Sequence, residues 1–261
     1  MKAIILAAGQ GTRLKKYTQD LPKGMLEFMG KTIIERQIEL YRRCGIEDIS
    51  IIRGFAGDKI SYAGVTYYTN KDYANTNMVE SLLAARSEFT DDVVVSYSDI
   101  LFSEDMLRTM VGTAGDFLVA VDHDWQEYWQ ARYGWIDFDT ESLSIDERGS
   151  IESLGIENPP LEEIDARYIG LLKFSRQGLA AIEQIMERAH NLDENEPWQQ
   201  SGNPVRKAYM TDLLQELIEE KKSVKAVPFH HGWIEFDTNR DYEIACQWAR
   251  DGSLEHFVAL L

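Results

Sequence analysis

The chain has 261 residues, 44% hydrophobic and 27% charged, with 44 acidic side chains against 27 basic ones and a formal net charge of −17. That length supports one large domain with a full core, and the acidic balance excludes a nucleic-acid partner, because no basic stripe exists to neutralise phosphates. No apolar run is long enough to span a bilayer, and two cysteines, Cys44 and Cys246, make neither a disulfide framework nor a zinc site. The opening apolar stretch stops at Gly9, too short for a signal peptide. A cytoplasmic protein with no membrane partner is expected, and assembly into an oligomer is left open.

Ala3 to Ala8 is an unbroken apolar run and predicts a short buried strand. Gly9 and Gly11 then let the backbone turn so that N–H groups converge on an anion with no Cβ in the way. Arg13 and, after a short spacer, Lys23 bring positive charge to the same place. A P-loop is excluded because the segment after Gly9 lacks the Gly-Lys-Ser/Thr ending, and a dinucleotide fingerprint because Leu14 stands where its third glycine is needed.

Thr32 and Glu35 predict a capping box for a helix over about 33–44, ended by Gly45. Ile49–Ile52 and Val65–Tyr68 predict strands, Asn77 an N-cap, and Met78–Phe89 a helix. Val93–Val95 and Phe117–Val121 are further buried strands. This alternation implies crossover units and a mostly parallel sheet. Residues 134–175 predict several short strands, an inserted antiparallel portion. A helix from about Gln177 to His190, a polar loop over 191–204, a helix over 206–222, strands over 223–229 and 232–237, and a last helix from Asn239 complete a single domain spanning 1–261.

Two carboxylates stand out. Asp99 follows a strand at its carboxyl end, where open parallel sheets place ligands; read alone, it serves equally as a turn residue before the helix near Ser103. Glu235 and Asp237 share one face of an alternating strand, so they need a cation or solvent, or else Asp237 belongs to the cap of the last helix. His230 and His231 lack the spaced partners of a metal site and are expected to be neighbours of the cleft.

The string Leu6-Ala7-Ala8-Gly9-x-Gly11-Thr12-Arg13-Leu14, the pair Pro22-Lys23, and Trp233-x-Glu235-x-Asp237-Thr238 near the C-terminus resemble the nucleotidylyltransferases that join a nucleoside triphosphate to a phosphorylated small molecule. The resemblance extends through Arg53-Gly54-Phe55, Asn77 to Leu82, Asp99, Tyr168 to Phe174 and Asp212-Leu213-Leu214. It implies an α/β fold of the nucleotide-diphospho-sugar transferase type, a Rossmann-like, mostly parallel sheet flanked by helices with a small antiparallel insertion. It further implies a nucleotide-binding half over about 1–125 and an acceptor-binding half over 126–261. Arg13 and Lys23 take the catalytic roles, and Asp99 and Asp237 hold Mg²⁺. Leu6, Ala8, Gly9, Gly11 and Thr12 line the nucleotide on one side, with Gly54, Asn77 and Ser81 on the other. The strings Thr69 to Met78 and Tyr97 to Ile100 look closer to enzymes that activate phosphocholine or phosphonates with CTP. Lys15 to Thr18 departs from the sugar-phosphate pattern, which puts a hexose acceptor in doubt.

Such a transfer needs no strong general base, since a phosphate monoester already has its second pKa at about 6. It needs charge neutralisation and in-line positioning of two anions. For the acceptor, Trp125, Tyr128, Trp129, Arg132 and Tyr133 recur on one helical face. On spacing this is core packing; as a site it is an aromatic pocket for an ammonium group beside Asp122 or Asp124, while Arg132 argues for an anionic contact. Lys173 and Glu235 are further acceptor candidates. The expected function is an Mg²⁺-dependent cytidylyltransferase for a small phosphorylated or phosphonate acceptor. The alternatives are a sugar-1-phosphate transferase using UTP or another triphosphate, and a nucleotide-binding regulatory module without turnover.

Overall fold

The computed structural model describes residues 1–260. In chain order the elements are β1 Lys2–Ala7, β2 Glu27–Phe28, β3 Lys31–Thr32, α1 Ile33–Arg43, β4 Ile49–Arg53, β5 Thr66–Thr69, α2 Met78–Leu83, β6 Val93–Tyr97, β7 Ile100–Phe102, α3 Glu104–Gly112 and β8 Phe117–Asp122. The second half contributes α4 Trp125–Tyr133, β9 Glu141–Ile145, β10 Ile151–Glu157, β11 Arg167–Phe174, α5 Arg176–Ala189, α6 Met210–Glu219, β12 Val224–Phe229, β13 Trp233–Glu235, α7 Asn239–Asp251 and α8 Leu254–Phe257.

Seven strands form the central sheet in the order β12-β8-β11-β6-β1-β4-β5. All neighbours are parallel except β11, which runs antiparallel to both β6 and β8. The apolar strands read as continuous runs because both faces are covered. Ala3, Ile5 and Ala7 of β1 enter one hydrophobic cluster and Ile4 and Leu6 the other; Leu118 and Ala120 of β8 likewise separate from Phe117, Val119 and Val121. Helix α1 begins where Thr32 Oγ1 accepts from Glu35 N at 3.1 Å, and Gly45 follows its end with a φ of 82°.

The expected fold class holds, with changes in detail. Strand β11 belongs to the central sheet, and the small antiparallel insertion is the β9–β10 pair. The helix expected over 78–89 ends at Leu83, and a separate 3₁₀ turn covers Arg86–Glu88, where Glu88 accepts from Lys2 Nζ at 2.6 Å. The helix expected over 206–222 splits into a 3₁₀ turn at Val205–Lys207 and α6, because Asp212 Oδ2 accepts from Tyr209 N at 2.8 Å and starts a new helix there. The strand over 232–237 is shorter and leaves the central sheet to pair antiparallel with β7. No helix among the described residues is long and apolar enough to cross a membrane.

Candidate active site

The site forms at the carboxyl edge of β1 and β6. Beyond β1 the chain passes Gly9 and Gly11, the latter at φ 64°, in the left-handed region that favours glycine. A Cβ there would lie 3.0 Å from Lys23 Cβ, so the same residue lets the lysine stem pass. Leu14 N donates to Gly11 O at 3.0 Å, closing a 3₁₀ turn that leaves Arg13 half exposed. A second 3₁₀ turn, Lys23–Met25, follows Pro22 and points Lys23 inward.

Lys23 Nζ sits between two carboxylates, 2.6 Å from Asp99 Oδ2 and 2.5 Å from Asp237 Oδ1. These acids, far apart in sequence, meet because β7 and β13 pair directly after and directly before them, with Glu235 opposite Ile100. Phe236 N also donates to Asp99 O at 2.9 Å. The turn that carries Asp99 is clamped by buried Gln37, whose Nε2 donates to Tyr97 O at 2.8 Å and Ile100 O at 2.7 Å. Asp237 is anchored by Asp241, whose Oδ2 accepts from Asp237 N at 3.0 Å and Thr238 N at 2.7 Å.

The electrostatics follow from this geometry. Burial pulls the Lys23 ammonium down, but the charges of Asp99 and Asp237 outweigh it and hold its pKa well above the usual lysine value. Burial pushes Asp237 up, yet Lys23, Arg13 and Arg132 hold it below the usual carboxylate range. Arg13 pairs with Asp237 and, at 3.1 Å, with Asp139, tying the opening loop to the second half of the chain. Two carboxylate oxygens already converge on one cationic point, which suits a hard divalent ion such as Mg²⁺.

Two adjoining lobes of about 190 and 320 Å³ open from this junction, and Met78, Tyr97 and Asp99 line both. Leu6, Ala8, Gly9, Gly11, Asn77 and Ser81 line the smaller lobe. Thr12 is exposed at the start of its 3₁₀ turn, outside the lobe. Gly54 acts from behind: Phe55 N donates to Ala8 O at 3.0 Å, and a Cβ on Gly54 would fall 2.5 Å from that oxygen and 2.8 Å from Tyr73 Cβ. Gly54→Ala must therefore displace the loop that follows β1; steady-state kinetics should show the triphosphate KM raised about tenfold with the acceptor KM little changed. Asn77 Oδ1 accepts from Met78 N at 3.0 Å, so the expected N-cap and a place in the lobe coincide.

The larger lobe takes in Arg13, Glu235 and Asp237 from the expected set, together with Glu141, Arg167 and Tyr168, which sequence reasoning missed as site residues. Burial raises the carboxyls of Glu235 and Glu141 above the usual range, against the charges of Arg132 and Arg167 respectively. Gly170, at φ 79°, lies against the Tyr97 ring, and Tyr168 hydrogen-bonds Tyr97 at 2.9 Å. The signal for Arg167 was its place two residues before that Ile-Gly, legible only once β11 is known to run antiparallel.

Five acceptor candidates lie elsewhere. Trp125 and Trp129 are 1% and 0% exposed, packed with Tyr128 and Trp233 in the core, so they form no open ammonium pocket. The cations on these rings are the protein's own: Arg132 stacks on Tyr128, Trp129 and Tyr133 at 5.0, 4.9 and 4.6 Å, and Arg167 on Trp129 at 4.6 Å. Asp122 is fully buried, accepting from Asp124 N, His231 N and Trp233 Nε1, and so anchors the turn before β13. Lys173 stands at the opposite edge of the sheet because β11 is antiparallel; its Nζ donates to Val111 O and Thr113 O at the end of α3. Arg132 is fully buried, paired with Asp241 at 2.9 Å and with Glu235, and acts through them rather than as a ligand contact. His230 and His231 line a separate depression with His256 and Phe257, not the cleft.

Comparison with known proteins shows the family and the fold. A family model described as the MobA-like NTP transferase domain matches residues 3–222. CTP:phosphoglutamine cytidylyltransferase of Campylobacter jejuni is 33% identical over 255 residues, covering 94% of this chain and 98% of that protein. A choline-phosphate cytidylyltransferase of Streptococcus pneumoniae is 34% identical over 152 residues, 57% of this chain and 65% of that one. The solved structure of CTP:phosphocholine cytidylyltransferase from Streptococcus pneumoniae shares the fold, with a TM-score of 0.74 at 23% identity over 95% of this chain and 98% of that one.

Proposed function

Because the chain belongs to the MobA-like NTP transferase family, and is thus a nucleotidyltransferase, we propose that it transfers CMP from CTP to a small phosphorylated acceptor. The observation that carries this reading is the junction of two lobes at which Arg13 and Lys23 meet Asp99 and Asp237. A triphosphate in the smaller lobe and an acceptor in the larger one would bring their phosphates together there. The choice of CTP rests on the named activities of the relatives.

An acceptor phosphate oxygen forms the new bond to the α-phosphorus while the bond to the departing pyrophosphate breaks. Arg13 and Lys23 offset the negative charge that builds up between the two anions. Asp99 and Asp237 would hold Mg²⁺, which supplies further neutralisation of the triphosphate. Their positions are set by Gln37 and Asp241, so little reorganisation is needed at the moment of transfer.

The larger lobe favours an acceptor that bears N–H donors besides its phosphate. Glu141, Glu157 and Asn158 offer acceptor oxygens, whereas the Trp129 ring is already occupied by Arg132 and Arg167. Phosphorylated amino or amide compounds and 2-aminoethylphosphonate fit this chemistry.

A pyrophosphate-release screen crossing four triphosphates with amino and amide phosphates, phosphocholine, phosphonates, glycerol phosphates and sugar phosphates tests the reading. Release is expected with CTP and Mg²⁺ and an amine- or amide-bearing phosphate or phosphonate. A preference for UTP with a sugar 1-phosphate would overturn it in favour of the sugar-phosphate alternative, and no release from any pair would leave a binding module.

A further inference from the structure

Arg167 is out of keeping with the rest of this protein's charges. Acids outnumber bases by 44 to 27, and the lobe around Arg167 carries Asp139, Glu141, Glu157 and Glu235. Yet no carboxylate among the described residues lies within ion-pair distance of its guanidinium, while Arg13, Lys23 and Arg132 each hold two. Its Nε and Nη1 are enclosed and have no hydrogen-bond partner. Buried donors of a charged group are costly to leave without partners, so such an arrangement is kept where a ligand completes it.

The guanidinium is also held in place. Its Cζ lies 4.6 Å from the centroid of the Trp129 ring, and Trp129 is fixed by an Nε1 hydrogen bond to Phe138 O at 2.7 Å. Strand β11 places Arg167 opposite Asp122, at the edge of the sheet where the lobe opens. A planar fork backed by an aromatic face and short of acceptors is built for a planar or tetrahedral oxyanion.

We propose that Arg167, stacked on Trp129, binds an oxyanion of the acceptor and so sets which acceptors the larger lobe admits. The proposal rests on the transferase reading above. It assigns Arg167 to the acceptor, not to the triphosphate, since Arg167 lines only the larger lobe. The oxyanion is either the acceptor's phosphate or a carboxylate elsewhere on it.

Steady-state kinetics of Arg167→Gln and Arg167→Lys test this, with CTP as donor and two acceptor sets, one bearing phosphate alone and one bearing phosphate and carboxylate. Arg167→Gln is expected to raise the acceptor KM about 10- to 100-fold, the range of a charge-assisted hydrogen-bond pair, with the CTP KM within about twofold of wild type. Arg167→Lys restores the charge without the fork and should fall between. Loss with both sets assigns the phosphate; loss confined to the second assigns the carboxylate. An unchanged acceptor KM, or a CTP KM that rises as much, overturns the proposal while leaving the transferase reading intact. Wild-type protein that releases no pyrophosphate from any pair overturns both.

Discussion

Replacing Lys23 with alanine is expected to lower kcat by about 10²–10³-fold, the range found when one preorganised donor to a developing negative charge is removed. The ammonium is the point on which Asp99 and Asp237 converge, and both partners hold it charged across the working pH range. Its loss leaves two carboxylates facing each other, with Arg13 still on Asp237. The variant should therefore gain more thermal stability from added Mg²⁺ than wild type does, because the ion no longer competes with an internal cation. Turnover near the wild-type rate would refute the catalytic role, and an equal Mg²⁺ response in both proteins would refute the shared site.

Arg132→Met is expected to destabilise the fold by about 3–5 kcal/mol, because it strands charge that has no other route to neutralisation. The side chain is fully buried and bridges Glu235 and Asp241, and Asp241 in turn holds the backbone of Asp237 and the first turn of α7. At about 2–4 °C per kcal/mol for a chain of this size, the Tm should fall by about 6–20 °C. Chemical denaturation measures the free energy directly, and a loss below about 1 kcal/mol would show that the triad is dispensable. The same variant should lower kcat, since Asp237 loses its anchor.

Much of the site was legible because its parts are local. The glycine turn after β1, Arg13 and Lys23 lie within one short segment, Asp99 follows soon after the apolar run Val93–Val95, and Asp237 closes the alternating segment 233–237. The aromatic helix face misled for a physical reason. Periodicity places Trp125, Trp129 and Arg132 on one face of α4 but carries no sign of what covers that face. The structure covers it with β13, α7 and α8, and supplies the cations from within.

The sequence by itself determined the parallel architecture and the glycine turn with Arg13 and Lys23 close to it, because these follow from residue type and near spacing, whereas the roles expected of Asp99 and Asp237 came from the family resemblance. Only the tertiary structure decided which distant residues join them. Strand direction is invisible to an apolar pattern, since a run of Ile, Leu and Val packs equally well either way along the sheet. The reversal of β11 sends Lys173 to the far edge and brings Arg167 and Tyr168 into the lobe. The pairing of β7 with β13 closes Asp237 onto Asp99, a contact set by backbone hydrogen bonds between segments that share no local sequence.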